Sequence, residues 1–523
     1  MTNQNFNHMK RISLILLMFF AAVFTLGAQD KVTAKVIELG RTDNRTMDHD
    51  DFLSNNIGGR LIGSHALQDA EQWAADQFRS WGLEVIIQEA GEINVAFNRG
   101  PWFGRMLSED GFQLHFGTPA YTAGTKGPQK GHVVIEPRTR AELERMRGKL
   151  KGAWVLIGGK SSGMALDRSD EANAKRAEAI EKNAEIEKQN REIGRYNYEH
   201  RDNPKEMLPY EEMPAIFYKE MVEAGVLGFI QSADVPLRIL YDRANCYDIT
   251  METLPTVCDI KLDSRQYDII YAKAKAREDF QLEFDIRNHF TKGPVKYHNV
   301  IGVMRGSKYP DQYVMVGGHL DAYDIGTGSV DCGNGAAVAL EAARLLAASG
   351  AKPKRTMLFC LWTGEEYGLL GSKFFVENKT VPLENISNYF NRDGGPTATT
   401  GISVPPAMYD DFVKVCKPIM DYDPTMPFTV NERNGRPQPR PTKAGGSDHA
   451  YFAMNGVPTI SFIHTDPKGY DFDYGEIWHT ERDLFNKVIP EYMNYSAVIT
   501  AVVSYGLANL DHLLSREGLY KED

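Results

Sequence analysis

Seven residues of this 523-residue chain have the types and spacing to carry chemistry: His319, Asp321, Asp331, Glu365, Glu366, Asp393 and His479. Imidazoles and carboxylates, read without a cysteine partner, suit zinc in a catalytic rather than a structural site. Two histidines, two aspartates and one glutamate would hold two zinc ions per chain and leave Glu365 as a base. The chemistry such a pair serves is hydrolysis of a peptide bond. Water is a weak nucleophile toward that carbonyl, and a metal lowers the pKa of bound water to ~7 while polarising the carbonyl. Two ions ~3.5–4 Å apart can share one bridging water, which calls for a bridging carboxylate. Asp331 is the candidate bridge, and its neighbours Gly333 and Gly335 leave room for backbone close to the metals. Asp321, two residues beyond His319, is suited to accept the free imidazole N–H. Glu365 and Glu366 are adjacent, so their side chains diverge, one toward metal and the other toward the water.

These residues follow apolar, strand-like runs. Residues 313–316 precede His319, 357–362 precede the glutamate pair, and 386–390 precede Asn391 and Asp393. That pattern puts the polar groups at the carboxyl ends of neighbouring strands, where open α/β sheets place their sites. An Ala-rich helix over 335–348, closed by Gly350, joins two of the strands, and a final helix runs over about 490–515. Nearer the start, apolar spacing predicts a helix over 65–81, ended by Gly82, and a strand over 83–89. Between 111 and 280 the texture changes to short strands at 132–135, 153–157 and 225–230 separated by Gly and Pro turns, which reads as an inserted second domain. Within it, 167–212 reads as a solvated helical excursion held by i,i+4 charge pairs. The expected organisation is therefore a first peptidase part over 29–110, the insert over 111–280, and a second part over 281–523 carrying the metal site. His65, His289 and His464 read as surface or satisfied core residues.

Composition supports an exported globular protein. The chain is 42% hydrophobic and 25% charged with a net charge of −11, which gives it no global field for nucleic acid. Residues 1–28 combine Lys10 and Arg11, an apolar run over 12–26 and Gly27-Ala28, the pattern of a secretory signal peptide too short for a stable membrane span. Its removal would leave a secreted or periplasmic chain that is more acidic still. The five cysteines are scattered, and Cys246 with Cys258 is the pair nearest in sequence for a disulfide.

Taken in order, Gly317-Gly-His319-Leu-Asp321, Asp331-Cys-Gly-Asn-Gly335, Trp362-Thr-Gly-Glu365-Glu366, Asn391-Arg-Asp393, Ser447-Asp448-His449 and His479-Thr-Glu-Arg-Asp483 resemble the co-catalytic zinc exopeptidases, a family that includes bacterial leucyl aminopeptidases, aminopeptidase Y, carboxypeptidase Q and glutamate carboxypeptidase II. The resemblance covers roughly 50–100 and 290–510. It implies a phosphorylase/hydrolase-like α/β/α sandwich with a mixed central sheet, and a smaller, β-rich insert similar to a protease-associated domain. It also implies that His319 and Asp393 bind one zinc, Glu366 and His479 the other, that Asp331 bridges them, that Glu365 is the general base, and that the Asp331–Cys332 peptide is cis. Many relatives carry Tyr before the last histidine to stabilise the oxyanion, whereas this chain has Trp478; Trp478, Tyr470 or Tyr474 is expected to substitute, with Asp448 a further candidate substrate contact. The stretch holding Arg433, Arg436, Arg440 and Lys443 reads as a solvated loop or as a clamp for a substrate carboxylate. The expected activity is removal of terminal residues from peptides. Aminopeptidase is the first reading and carboxypeptidase or dipeptidase the second, because the motifs do not say which peptide end is held. Glutaminyl cyclisation, for which one zinc suffices, and a non-catalytic binding ectodomain are the rivals.

Overall fold

The computed structural model describes residues 30–240 and 248–521. The signal-like segment and Cys246 lie outside the described residues. Cys258 is a buried, free thiol in a hydrophobic cluster.

One ten-stranded mixed sheet organises the molecule. Its spine is an antiparallel ribbon of β1 (Glu84–Leu107) and β7 (Gln281–Met304), paired along nearly their whole lengths. The sequence pattern places a strand only over 83–89. The chain in fact stays extended to Leu107 because bulges after Glu89, Ile93 and Arg99 absorb the breaks in its alternation. β7 divides its other edge between two wings. Gln281–Phe284 pair antiparallel with β3 (Gln129–Ile135), and Val300–Met304 pair antiparallel with β9 (Arg355–Trp362).

The wing that carries the chemistry is β9, β8 (Tyr309–His319) and β10 (Ile386–Asn391), all parallel, in the order β10-β8-β9-β7. Every residue of β9 is buried, as a central strand covered on both faces requires. The pleat sorts its side chains by face. Met357, Phe359 and Leu361 face the helices His65–Ser80, Asn334–Ala348 and Pro490–Ala508, while Leu358, Cys360 and Trp362 face Phe375 and Phe452 on the other side. Each such fully buried side chain is worth ~1.5–3 kcal/mol relative to exposure. Ser64 caps the first of these helices by accepting from the Leu67 amide, and the helix ends one residue earlier than its spacing predicts. The last helix stops at Ala508 rather than near 515, where Asn509 turns its side chain back onto the Tyr505 carbonyl.

The 111–280 segment builds the second wing from β3, β4 (Ala153–Ser161), β5 (Gly228–Ala233) and β6 (Cys258–Asp263), all parallel, edged by β2 (Phe116–Gly117). The short strands expected at 132–135 and 153–157 are present, and the one expected over 225–230 runs over Gly228–Ala233 instead. The helices Arg140–Leu150, Asp170–Glu199 and Ser264–Ala276 give the segment more helix than a β-rich reading anticipates. Its apolar side chains form their own clusters on either face of β4, Trp154 and Leu156 on one and Val155 and Ile157 on the other.

The charged excursion is a 30-residue helix followed by an extended return. Ion pairs Lys175–Glu171, Lys182–Glu178 and Arg191–Glu187 run along it at i,i+4 spacing. A second device holds the return strand: Asn183, Asn190 and Asn197 each give and take backbone hydrogen bonds with Glu211, Leu208 and Lys205 respectively, at 2.7–3.3 Å. Seven helical residues advance ~10.5 Å and three extended residues ~10 Å, so the two spacings keep step.

A small sheet of β11 (Ala398–Val404), β12 (Thr429–Glu432) and β13 (Phe462–Thr465) carries the loops that reach over the strand ends. Among the described residues no helix is long and apolar enough to cross a membrane.

Candidate metal centre

His319 is the last residue of β8, Glu365 and Glu366 follow β9, and Asp393 follows β10, all at carboxyl ends. Asp331 ends the crossover from β8 just before the helix Asn334–Ala348, and the Asp331–Cys332 peptide is cis. His479 comes from the loop after β13 and sits in the left-handed region at φ 59°, a conformation that a non-glycine residue keeps only where its surroundings hold it.

The site residues converge. His319 Nε2 lies 3.2 Å from Asp331 Oδ1 and 3.7 Å from Asp393 Oδ1. His479 Nε2 lies 3.2 Å from Asp331 Oδ2 and 3.1 Å from Glu366 Oε2. Ligands on a tetrahedral zinc with bonds of ~2.0–2.1 Å lie ~3.3 Å from one another, so separations of 3.1–3.7 Å have the size that such ligands need. Asp331 presents a different oxygen to each imidazole, which is the arrangement a bridge needs. His319 Nδ1–H donates to the Asp321 main-chain carbonyl at 2.8 Å, which turns Nε2 toward the carboxylates.

Electrostatics tell the same story. Burial would lower both imidazoles, but the surrounding acids outweigh it and raise His319 well above its ordinary value and His479 to about 9. Burial raises Glu366 to about 7, with Asp331 adding to it, and raises Glu365 to about 10, with Glu366, Asp393 and Asp448 adding to it. Asp331 is held below its usual range by the two imidazoles, against burial. Such crowding of acids is what divalent cations neutralise.

Several sequence expectations are revised here. The Asp321 carboxylate is 3.6 Å from His319 and instead accepts the amides of Glu365 and Glu366 at 3.0 and 3.2 Å, so Asp321 supports the site through its carbonyl and through the glutamate loop. A side chain at Gly333 would meet Asp50 and the Gly328 carbonyl, and one at Gly335 would meet the Arg392 carbonyl and Cys332. A cysteine does lie in the cluster: Cys332 is grouped with His319 and Asp393, but its thiol donates to the Arg392 carbonyl and burial pushes its pKa up. Asp448 is fully buried with one oxygen 2.5 Å from the Ser372 hydroxyl, and it lines neither of the two cavities at the site. Tyr470 is half exposed and gives its hydroxyl to Glu491, away from the centre. His65 and His289 are exposed, and His464 Nδ1 pairs with Arg392 and Thr399.

A cavity of about 630 Å³ opens on the cluster, lined by Asp331, Glu365, Glu366, Asp393, Tyr474, Trp478 and His479. Burial, with Asp331 and Asp393 adding to it, keeps the Tyr474 phenol protonated. Trp478 is 40% exposed, and one ring face is covered by the Arg238 guanidinium at 4.4 Å. Arg238 comes from the second wing and is not distinguished by sequence pattern. Beside it, Leu237 exchanges backbone and side-chain bonds with Glu481, and His115 reaches Glu481 at 2.6 Å and Asp263 at 3.1 Å. A second cavity of about 570 Å³ adjoins the first through Asp393, Gly445 and Gly446 and is lined by Arg433 and Lys443, though not by Arg436 or Arg440.

Comparison with known proteins agrees with this geometry. The model of Peptidase family M28 matches residues 299–503. The chain is 31% identical over 487 residues to carboxypeptidase Q of Rattus norvegicus, covering 91% of this chain and 88% of that one. Against carboxypeptidase Q of Homo sapiens it is 31% identical over 496 residues, covering 94% and 92%. Among solved structures, a peptidase M28 precursor from Shewanella amazonensis shares the fold at a TM-score of 0.56 and 21% identity, covering 93% of this chain and 98% of that one. A zinc aminopeptidase from Bacillus subtilis does so at 0.51 and 15%, covering 91% and 97%. Identity sustained over nearly the whole length, with a family match that spans most of the ligand-bearing strands, leads to one conclusion: this chain belongs to peptidase family M28, the co-catalytic zinc exopeptidases.

Proposed function

We propose that the chain is an exported carboxypeptidase or dipeptidase that works with two zinc ions, His319 and Asp393 holding one, Glu366 and His479 the other, and Asp331 lying between them. The observation that carries this reading is the Asp331 carboxylate, which offers opposite oxygens to two imidazoles at 3.2 Å each. Zinc, when bound, supplies a Lewis acid that makes water nucleophilic near neutral pH and polarises the peptide carbonyl. Glu365, on the cavity wall, would be ionised by the positive charge of zinc held beside it, and it takes a proton from the attacking water as the C–O bond forms. It returns that proton to the nitrogen as the C–N bond breaks, so the amine departs neutral. The Tyr474 hydroxyl is the hydrogen-bond donor for the developing oxyanion.

Two observations turn the reading from aminopeptidase to carboxypeptidase. The relatives similar over nearly their full length are named carboxypeptidase Q. In addition, Arg433 and Lys443 line the adjoining cavity, where a guanidinium and an ammonium suit a free α-carboxylate. The 111–280 wing is proposed as an inserted unit on the strength of its own hydrophobic clusters, and export on the strength of residues 1–28.

Mass spectrometry of free, N-acetylated and C-amidated peptides, incubated with zinc-loaded protein, tests the assignment. Cleavage that survives acetylation and is lost on amidation is expected. Loss on acetylation alone would make the enzyme an aminopeptidase.

A further inference from the structure

Asp483 lies four residues beyond His479 and is buried, yet it makes no contact with the cavity. Both carboxylate oxygens are engaged by the neighbouring crossover: Oδ1 accepts the Val330 amide at 2.6 Å, and Oδ2 accepts the Asp331 amide at 3.1 Å. Its main-chain carbonyl accepts the Thr327 amide at 2.8 Å. One residue thus holds both ends of the 327–331 segment. The approach is close enough that a side chain at Gly326 would meet the Asp483 carbonyl at 2.7 Å. The far side of the segment is braced by Arg60, whose guanidinium donates to the Thr327 and Gly328 carbonyls at 3.1 and 2.8 Å, and by Asp50, which accepts the Ser329 hydroxyl at 2.7 Å.

Resting on the two-metal reading, we propose that Asp483 is a positioning residue that sets the distance between His479 and the bridging carboxylate of Asp331. The argument is geometric. His479 and Asp483 share one loop, and Asp331 belongs to another, separated by more than a hundred residues of sequence. Asp331 must present one oxygen to each imidazole, so a shift of its backbone by a fraction of an ångström opens one metal position while closing the other. Bonds that main-chain amides donate to the two oxygens of a carboxyl group are directional, and here they register Asp331 against the loop that supplies the second imidazole. Asp321 does the same for the amides of Glu365 and Glu366, so buried aspartates fix the backbone of two of the loops that converge on the site. Groups that orient metal ligands typically govern metal affinity or activity by ~10–100-fold.

The test uses the full chain. Zinc affinity is measured by chelator competition, alongside kcat, KM and the thermal midpoint of the zinc-free protein. Wild-type zinc uptake, measured first, tests the two-metal reading itself; the ratio of variant to wild type tests Asp483. Asp483→Asn keeps the shape and one acceptor, and is expected to weaken zinc binding ~10–100-fold and to lower kcat by a similar factor while KM changes little. Asp483→Glu keeps the charge but is a methylene too long for the same register, and is expected to move both readouts in the same direction; it carries the test if Asp483→Asn does not fold. Glu481→Gln, in the same loop but directed to His115, should retain wild-type zinc affinity. A lowered zinc-free midpoint with unchanged zinc affinity and kcat in the Asp483 variants would show a purely structural residue and overturn the proposal.

Discussion

Tyr474 and Trp478 both line the metal-side cavity, and only one of them offers a hydroxyl donor. Tyr474→Phe is therefore expected to lower kcat by ~10²–10³, the usual loss for an oxyanion donor. Trp478→Phe should leave kcat close to wild type; a large loss there and none at Tyr474 in steady-state assays would reverse the assignment. For Glu365→Gln, kcat should fall by ~10²–10⁴ with zinc content unchanged, and retained turnover would remove Glu365 as the base. The convergence of His319, Glu366 and Asp393 was legible in the sequence because each follows a strand-like apolar run within a few residues. Roles that depend on where a side chain points were not. Asp321 supports His319 with its carbonyl, Asp448 is buried under Ser372, and Tyr470 turns to Glu491, each through a partner that spacing along the chain does not name.

At the scale of elements, the strand ends are stiffened by a chain of hydrogen bonds behind the site. The Trp362 indole donates to the Tyr389 hydroxyl at 2.6 Å, that hydroxyl donates to Asn391 at 2.5 Å, and Asn391 donates to Ser447 at 2.8 Å, linking β9, β10 and the loop before His449–Met454. The far part of the helix Asp170–Glu199 is held differently, by the side-chain amides of Asn190 and Asn197. Asn190→Ala would strip Leu208 of both backbone partners, a local loss of ~1–2 kcal/mol. Limited proteolysis across 200–208 should then run ~5–30-fold faster while peptide hydrolysis is unchanged; equal cleavage of variant and wild type would show that the asparagines do not hold this part of the chain. The charge pairs of this helix were readable from i,i+4 spacing. The asparagine ladder was not, because a polar residue inside a charged helix looks solvated until the returning strand is seen beside it. β1 was underread for a related reason: Gly91 and the bulges break an alternation that pairing with β7 restores.

Across the whole molecule, the two wings share β7, and the second wing grips the loop of His479 through Arg238, Leu237 and His115. Burial would lower the His115 imidazole, but the carboxylates of Glu481 and Asp263 outweigh it and hold it above its ordinary 6.5. A histidine raised in this way contributes stability that is complete below ~6.5 and is lost as pH rises through its folded value. His115→Gln should thus lower the thermal midpoint more at pH 5.5 than at pH 8.5, by only ~1–3 °C because the imidazole is partly exposed. An equal or larger loss at pH 8.5 would contradict the link. The α/β class and the wing of β8, β9 and β10 follow from periodicity, whereas the contact of the second wing with the His479 loop rests on single side chains that periodicity does not mark. The account as a whole turns on Asp331 standing between two metals. Zinc per chain, counted by elemental mass spectrometry on protein equilibrated with metal and freed of excess, tests this most directly. Two zinc ions per chain, falling to one in Asp331→Asn or His479→Ala, is the result the account predicts; a single zinc in the wild-type chain would contradict it.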